Sequence, residues 1–225
     1  MEKIAKQLSP SIITLNETAL KLKQKPRVKN YTSFKRNRTD KLMGGVATLV
    51  KFEDKDNFVK LSDGCLDDEY LITRHTNFMQ PLNIINIYGE QECRVTKAEA
   101  EEKWMRLLNE INSIQKRKEH LLIIGDMNKH IGNDELGVAG NHPKISSGGE
   151  LIRGFLSSEN FVCLNNSKLI SGGPFTRYDP SNPSKREKMS CLDLVLVSKS
   201  LEPYIESVVI DSSMKYAPVR PLSKE

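Results

Sequence analysis

The join at residues 96–126 constrains the fold most, because an amphipathic segment there runs directly into an apolar one. In TKAEAEEKWMRLLNEINSIQKRKEH, Thr96 followed three residues later by Glu99 forms a capping box, and Ala100, Trp104, Leu107, Leu108, Ile111 and Ile114 fall on one helical face. That face needs a partner, which makes Trp104 a core residue and not a stacking platform. The run HLLIIGDMN follows at once and reads as a buried strand that stops at Asp126 and Asn128, with Met127 between them.

Other segments repeat the alternation. A short helix is expected over residues 2–8, strands over SIITLNE, GGVATLVKF and LNIINIYG, and a second helix that turns Leu151, Ile152, Phe155 and Leu156 inward before the strand FVCLNN. CLDLVLVS and ESVVIDSS are again strand-like. No stretch rich in Pro, Gly or Ser divides the chain, so a single α/β domain over residues 1–225 is expected, with much sheet and helices outside. At 225 residues and 38% hydrophobic content it is long enough to bury a substantial core. No segment approaches the roughly 18 consecutive apolar residues of a membrane span, and MEKIAKQLSP lacks the apolar centre of a signal peptide. The expectation is a soluble, intracellular protein. Cys65, Cys93, Cys163 and Cys191 are widely spaced, which points neither to a zinc site nor to a disulfide framework.

Charge is unevenly distributed. The net charge is +5, but residues 21–41 carry nine Lys or Arg against Asp40 alone. Such a patch attracts a phosphate backbone, through residues such as Lys35, Arg36 and Arg38, with Tyr31 and Phe34 placed to stack on bases. A charge run by itself is more often a solvated, mobile loop.

Three strands end in the same chemistry. SIITLNET delivers Glu17, LLIIGDMN delivers Asp126 and Asn128, and NIINIYGEQE delivers Tyr88, with Glu90 and Glu92 just beyond. A single carboxylate at a strand end is usually a turn-former, since Asp and Asn bond their own backbone there. Several together suit a hard cation such as Mg²⁺, which takes one or two carboxylates plus phosphate oxygens and water.

These residues resemble the endonuclease/exonuclease/phosphatase superfamily, in particular the apurinic-type endonuclease domains of non-LTR retrotransposons, from about Pro10 to about Asp211. IITLNET is similar to the family's strand ending in Q-E-T, GGVATLV to its Gly-Gly strand, INIYGEQE to its N-x-Y segment, and IIGDMNKHIG to its G-D-x-N motif. GGELIRGFLSSENFVCLNN and FTRYDP resemble the segment that follows, and SCLDLVLVS resembles the S-x-I-D-Y-I-L strand. The resemblance implies a DNase I-like fold, a four-layer α/β sandwich of two packed mixed sheets flanked by helices. It implies Glu17 as the ligand of Mg²⁺ or Mn²⁺, Asp126 as the group that orients or deprotonates the attacking water, and Asn128 as its helper. Tyr88 would contact the scissile phosphate, Asp193 would orient a catalytic histidine, and Thr176 would join Lys35, Arg36 and Arg38 in contacting DNA.

Two parts of the family pattern have no counterpart. The first strand, with its asparagine, would precede Met1. The closing S-D-H-x-P-V motif is replaced at SMKYAPV by Met214, Lys215 and Tyr216, or else belongs to a strand beyond KYAPVRPLSKE. His75, His120, His130 and His142 lie outside any family histidine motif and read as structural or surface residues. The expected function is a Mg²⁺-dependent endonuclease that nicks target DNA in the nucleus for reverse transcription, impaired in this chain, with a reverse transcriptase domain as its partner in a longer polypeptide. The alternatives are an inactive remnant that binds nucleic acid or protein, and a phosphatase of the same fold.

Overall fold

The computed structural model describes residues 2–37, 44–62, 70–89, 96–134, 138, 143–158, 160–172, 176 and 190–210, apart from the side chains of Lys97, Ala100 and Ser158. Arg38, Cys65, Cys93, Glu90, Glu92, His142, Met214, Lys215 and Tyr216, and the side-chain position of Ala100, lie outside the described residues.

Two sheets face each other. The smaller has the order β1–β3–β2, built from β1 (Ile12–Leu15), β2 (Tyr31–Arg36) and β3 (Val46–Lys51), all antiparallel. The larger has the order β4–β5–β6–β7–β10–β8, from β4 (Phe58–Ser62), β5 (Tyr70–His75), β6 (Leu82–Tyr88), β7 (His120–Asp126), β8 (Phe161–Cys163) and β10 (Asp193–Ser198). Its β6–β7 pair is parallel, joined through helix α2 (Lys97–Lys116), and its other pairs are antiparallel. A short parallel pair, β9 (Ile170–Gly172) and β11 (Val208–Ile210), stands apart.

Alternation along the strands assigns the layers. Val50 of β3, Phe58 and Ile84 of β6 meet in the seam between the sheets, with Ile12, Phe34, Leu122 and Ile124 against them. The opposite face of β3, Ala47 and Leu49, packs under Ala5 of α1 (Glu2–Leu8) and Val28. The opposite face of the large sheet, with Ile85, Ile87, Leu121 and Ile123, meets Leu107, Ile111 and Ile114 of α2 and Ile152 and Phe155 of α3 (Ser147–Ser158). The layers therefore run helix, small sheet, large sheet, helices. Full burial of each of the Val, Leu, Ile and Phe side chains is worth about 1.5–3 kcal/mol. Trp104 is core, edge-on to Phe155 with ring centroids 5.9 Å apart.

The Thr96 capping box is present, with the Thr96 N–H donating to Glu99 at 2.8 Å. Four strands were not legible as such. β2 falls inside the basic segment, where the charges hide an alternation that turns Phe34 into the seam and leaves Lys35 and Arg36 at a sheet edge. β4, β5 and β9 are the others, and β5 is almost wholly buried. The reading of the basic segment as a mobile loop is thus corrected over Tyr31–Arg36, which pairs along its whole length with β3. Tyr31 and Phe34 are corrected as well. The Tyr31 ring packs with the Ala5–Val28 cluster and its hydroxyl donates to the Pro10 carbonyl, and Phe34 packs in the seam, so both rings serve the core and not a base stack. β1 is half-buried throughout and not a buried strand, because among the described residues it pairs with β3 alone.

Candidate active site

The parallel and antiparallel registers of the large sheet align three polar residues. Tyr88 at the end of β6 pairs with Asp126 at the end of β7, which pairs with Asp193 at the start of β10. Directly paired residues project to the same face. That face is the one that Ile84, Leu122, Ile124 and Asn86 turn toward the small sheet, so the row stands at the open end of the seam.

β1 supplies the opposite wall. Glu17, two residues past its end, takes a left-handed conformation (φ 49°) and accepts a hydrogen bond from the Tyr88 hydroxyl. The Asn16 amide beside it donates to the Ile87 carbonyl at 3.0 Å. The Thr18 and Ala19 N–H groups then donate to the Gly45 and Gly44 carbonyls at 3.1 and 2.9 Å. Gly45 (φ 85°) is needed there, since a Cβ would stand 2.8 Å from the Thr18 hydroxyl.

A tight turn fixes Asp126. The Asn128 N–H donates to Asp126 Oδ1 at 2.8 Å while Asn128, also left-handed (φ 49°), donates from Nδ2 to the Gly89 carbonyl at 2.6 Å. The Gly89 N–H returns a bond to the Asp126 carbonyl at 2.6 Å, and the Met127 N–H bonds the Leu192 carbonyl at 2.9 Å. Turn-forming and site-forming roles therefore coincide in one residue pair.

Asp193 is held through Thr176, whose hydroxyl accepts from the Leu192 and Asp193 N–H groups at 3.0 and 3.1 Å. Surrounding protein pushes the Asp193 carboxyl above the usual carboxylate range, and the Thr176 hydroxyl partly opposes the shift. The side chain still reaches water, and a carboxyl that is crowded on the protein side and wet on the other is suited to exchanging a proton.

Two buried asparagines that the sequence motifs do not single out support the site. Asn86 donates to the Leu15 and Ala47 carbonyls at 3.1 and 2.9 Å, tying β6 to both β1 and β3 across the seam. Asn165 donates to the Asp193 carbonyl at 2.9 Å and accepts from the Val195 N–H at 2.7 Å, bracing β10. The signal was an amide inside or just after an apolar run, as in LNIINIYG and FVCLNN.

Among the basic residues, Lys35 Nζ donates to the Leu22 and Gln24 carbonyls at 2.7 and 2.5 Å, fastening the preceding loop to β2. Burial, then Lys25 and Lys60, lower its pKa. Arg36 lies at the end of β2 that bears the site, paired with Val46. His120 and His75 lie apart from the Tyr88–Asp126–Asp193 row, at the other end of the large sheet. His120 is buried, with Nδ1 3.0 Å from the Ser200 hydroxyl, and packs against Phe78 and Tyr204, and His75 packs between Phe58 and Phe78.

No group of three or more His, Cys, Asp or Glu able to hold a metal ion exists among the described residues. The donors at the site are nonetheless hard oxygens, with an exposed carboxylate at Glu17. That set fits a Mg²⁺-type ion that keeps most of its shell as water and phosphate oxygen.

No family model matches the chain, and no curated protein matches it in sequence. Solved structures do match it in fold. A 3′-5′ exonuclease, NExo, from Neisseria meningitidis superposes with a TM-score of 0.69 at 18% identity, covering 96% of this chain and 90% of its own. The 3′ phosphatase NExo from Neisseria bound to product DNA hairpin gives 0.63 at 17%, covering 89% and 81%. The endonuclease domain of TRAS1, a telomere-specific non-LTR retrotransposon, gives 0.61 at 16%, covering 88% and 78%. The chain thus has the endonuclease/exonuclease/phosphatase, DNase I-like fold.

Proposed function

We propose that this chain is a phosphodiester hydrolase acting on DNA, and more narrowly an endonuclease that nicks target DNA for retrotransposition. The observation that carries the reading is the row Tyr88–Asp126–Asp193 facing Glu17 across the open end of the seam. It is supported by structures of the same fold that include an exonuclease, a retrotransposon endonuclease and a 3′ phosphatase bound to product DNA hairpin.

Glu17 would hold Mg²⁺ or Mn²⁺, which supplies charge neutralisation at the phosphate. Asp126, its carboxylate fixed by the Asn128 N–H, orients the attacking water and takes its proton. The Tyr88 hydroxyl, shared with Glu17, is placed to donate to a phosphate oxygen. Asp193, its carboxyl raised toward the protonated form, is the group of the row suited to hold a proton near the leaving oxygen. Lys35 and Arg36 attract the backbone, and Thr176 sits behind Asp193 where DNA would pass. We place the activity in the nucleus, within a longer polypeptide whose reverse transcriptase would use the nick. Among the described residues no helix is long and apolar enough to cross a membrane.

Because the family's histidine has no described counterpart in the row, nicking is expected to be slow. Relaxation of supercoiled plasmid in Mg²⁺ or Mn²⁺ is the measurement. Weak nicking that falls at least about 10²-fold in Asp126→Ala supports the reading. Equal rates in wild type and Asp126→Ala would remove it, and salt-sensitive DNA binding with no cleavage in either metal would establish the second reading, an inactive nucleic-acid-binding remnant.

A further inference from the structure

The segment between Glu17 and β2 is not used by the hydrolytic site, yet it is built with care. From Lys25 to Lys29 the exposed residues Lys25, Arg27 and Lys29 alternate with half-buried Pro26 and buried Val28, and Lys23 precedes them. An extended backbone gives this alternation, and Pro26 enforces it, because the residue before a proline is driven to extended angles. Val28 anchors the inner side in the cluster of Ala5 and Leu49. Lys35 holds the head of the segment by the Leu22 and Gln24 carbonyls, and Asn37 Nδ2 adds bonds to Lys21 at 2.6 Å and Gln24 at 3.0 Å. The foot is fixed by the turn in which the Tyr31 N–H donates to the Val28 carbonyl at 3.1 Å.

These cations line an open groove of about 950 Å³ whose described lining holds one carboxylate, Glu2. None of Lys23, Lys25, Arg27 or Lys29 forms an ion pair with a described carboxylate. The groove's place in the fold gives it direction. Its head lies beside Lys35 and Asn37, at the end of the small sheet where Thr18 and Ala19 bond the Gly45–Gly44 pair just past Glu17. Its foot lies at the start of β2, about 20 Å away by strand rise over six residues.

We propose that this groove is a second nucleic-acid site, a track for the phosphate backbone of a single strand leading away from the rim of the catalytic cleft along the outer face of the small sheet. Alternate cations on an extended chain recur about every 6.6 Å, a single line of charge that suits a single line of phosphates and not the two strands of a duplex.

The test is binding of a dye-labelled oligothymidylate by the full chain over a series of salt concentrations, read by fluorescence anisotropy in the presence of chelator. Metal-dependent cleavage plays no part under those conditions, so failure of the hydrolytic reading and failure of this one are separable. Each phosphate contact contributes about 0.7 to the slope of log affinity against log salt for single strands. Changing Lys23, Lys25, Arg27 and Lys29 together to Gln should therefore make the slope shallower by about 3 units. Replacing the three lysines by Arg should keep it, and changing Lys116, Lys118, Lys168 and Lys199 to Gln, which removes the same charge elsewhere, should leave it within about 1 unit of wild type. An unchanged slope in the first variant overturns the proposal, as does an equal loss in the control variant. Binding of phosphatidylserine vesicles that depends on the four residues, with no such dependence for the oligonucleotide, overturns it in favour of a membrane.

Discussion

At the scale of single residues, the site is a set of positions where function and stability pull apart. Asp193 shows this through its proton. Its folded carboxyl titrates above the unfolded value, so between the two values the folded chain binds more protons and stability falls as pH rises through that window. Asp193→Asn should therefore raise the urea midpoint at about pH 7, and the gain should vanish at about pH 3.5, where an aspartate is mostly protonated in both states. A midpoint lower than wild type at both pH values would mean that the side chain is a structural brace. Gly125 is constrained from the other direction. It sits at φ 144°, and a Cβ would lie 2.0 Å from the Ile87 carbonyl and 2.7 Å from the Asn16 amide. Gly125→Ala should cost at least about 1–3 kcal/mol in chemical denaturation, because the Ile87 backbone and the Asn16 side chain both have to shift. The aspartate-asparagine pair that follows was legible in the sequence, since polar residues closing an apolar run stand out. The requirement for glycine at 125 was not, because it arises from strand β6 and Asn16, which approach from 38 and 109 residues away in the chain.

Elements show how two sheets come to share one site. Asn86 is the tie, with its amide on the Leu15 and Ala47 carbonyls and its side chain fully buried between the sheets. Removing a donor from buried carbonyls costs about 1–3 kcal/mol, and Asn86→Leu, which keeps the branched shape and leaves no cavity, separates that loss from a cavity term. We expect a lower urea midpoint and, in amide hydrogen exchange, faster opening of β1 than of β10. Equal protection of the two strands would show that apolar packing alone holds the sheets in register. Helix α2 and strand β7 were legible because a capping box, a 3.6-residue period and an apolar run are local signals. β2 was not, since its six residues read as charge until β3 pairs with them and Val50 and Ile84 receive Phe34.

For the whole molecule, the large sheet has two poles of opposite character. The site occupies one end of β6 and β7, while His120 at the start of β7 closes the other with Phe78 and Tyr204. Glu119 beside it is buried, yet hydrogen bonds from Arg117 and Asn83 and the Arg117 and Arg74 charges overcome that burial and hold its carboxyl below the usual range. Burial lowers the His120 pKa, so the folded chain binds fewer protons than the unfolded one just below the ordinary histidine value, and stability falls as the solution is acidified through that window. Wild type should lose urea resistance between about pH 7.5 and 5.5, and His120→Phe should lose less. Identical losses would assign the acid sensitivity to other groups. The sequence by itself determined the helices, the main apolar strands and the polar residues at their ends, because periodicity, capping and strand termination are written in neighbouring positions. Only the tertiary structure decided that Tyr88, Asp126 and Asp193 stand in one row, that Glu17 faces them, and that Asn86 and Asn165 brace them. Those facts depend on the register between strands distant in the chain, and register is set by what the two sheets bury against each other.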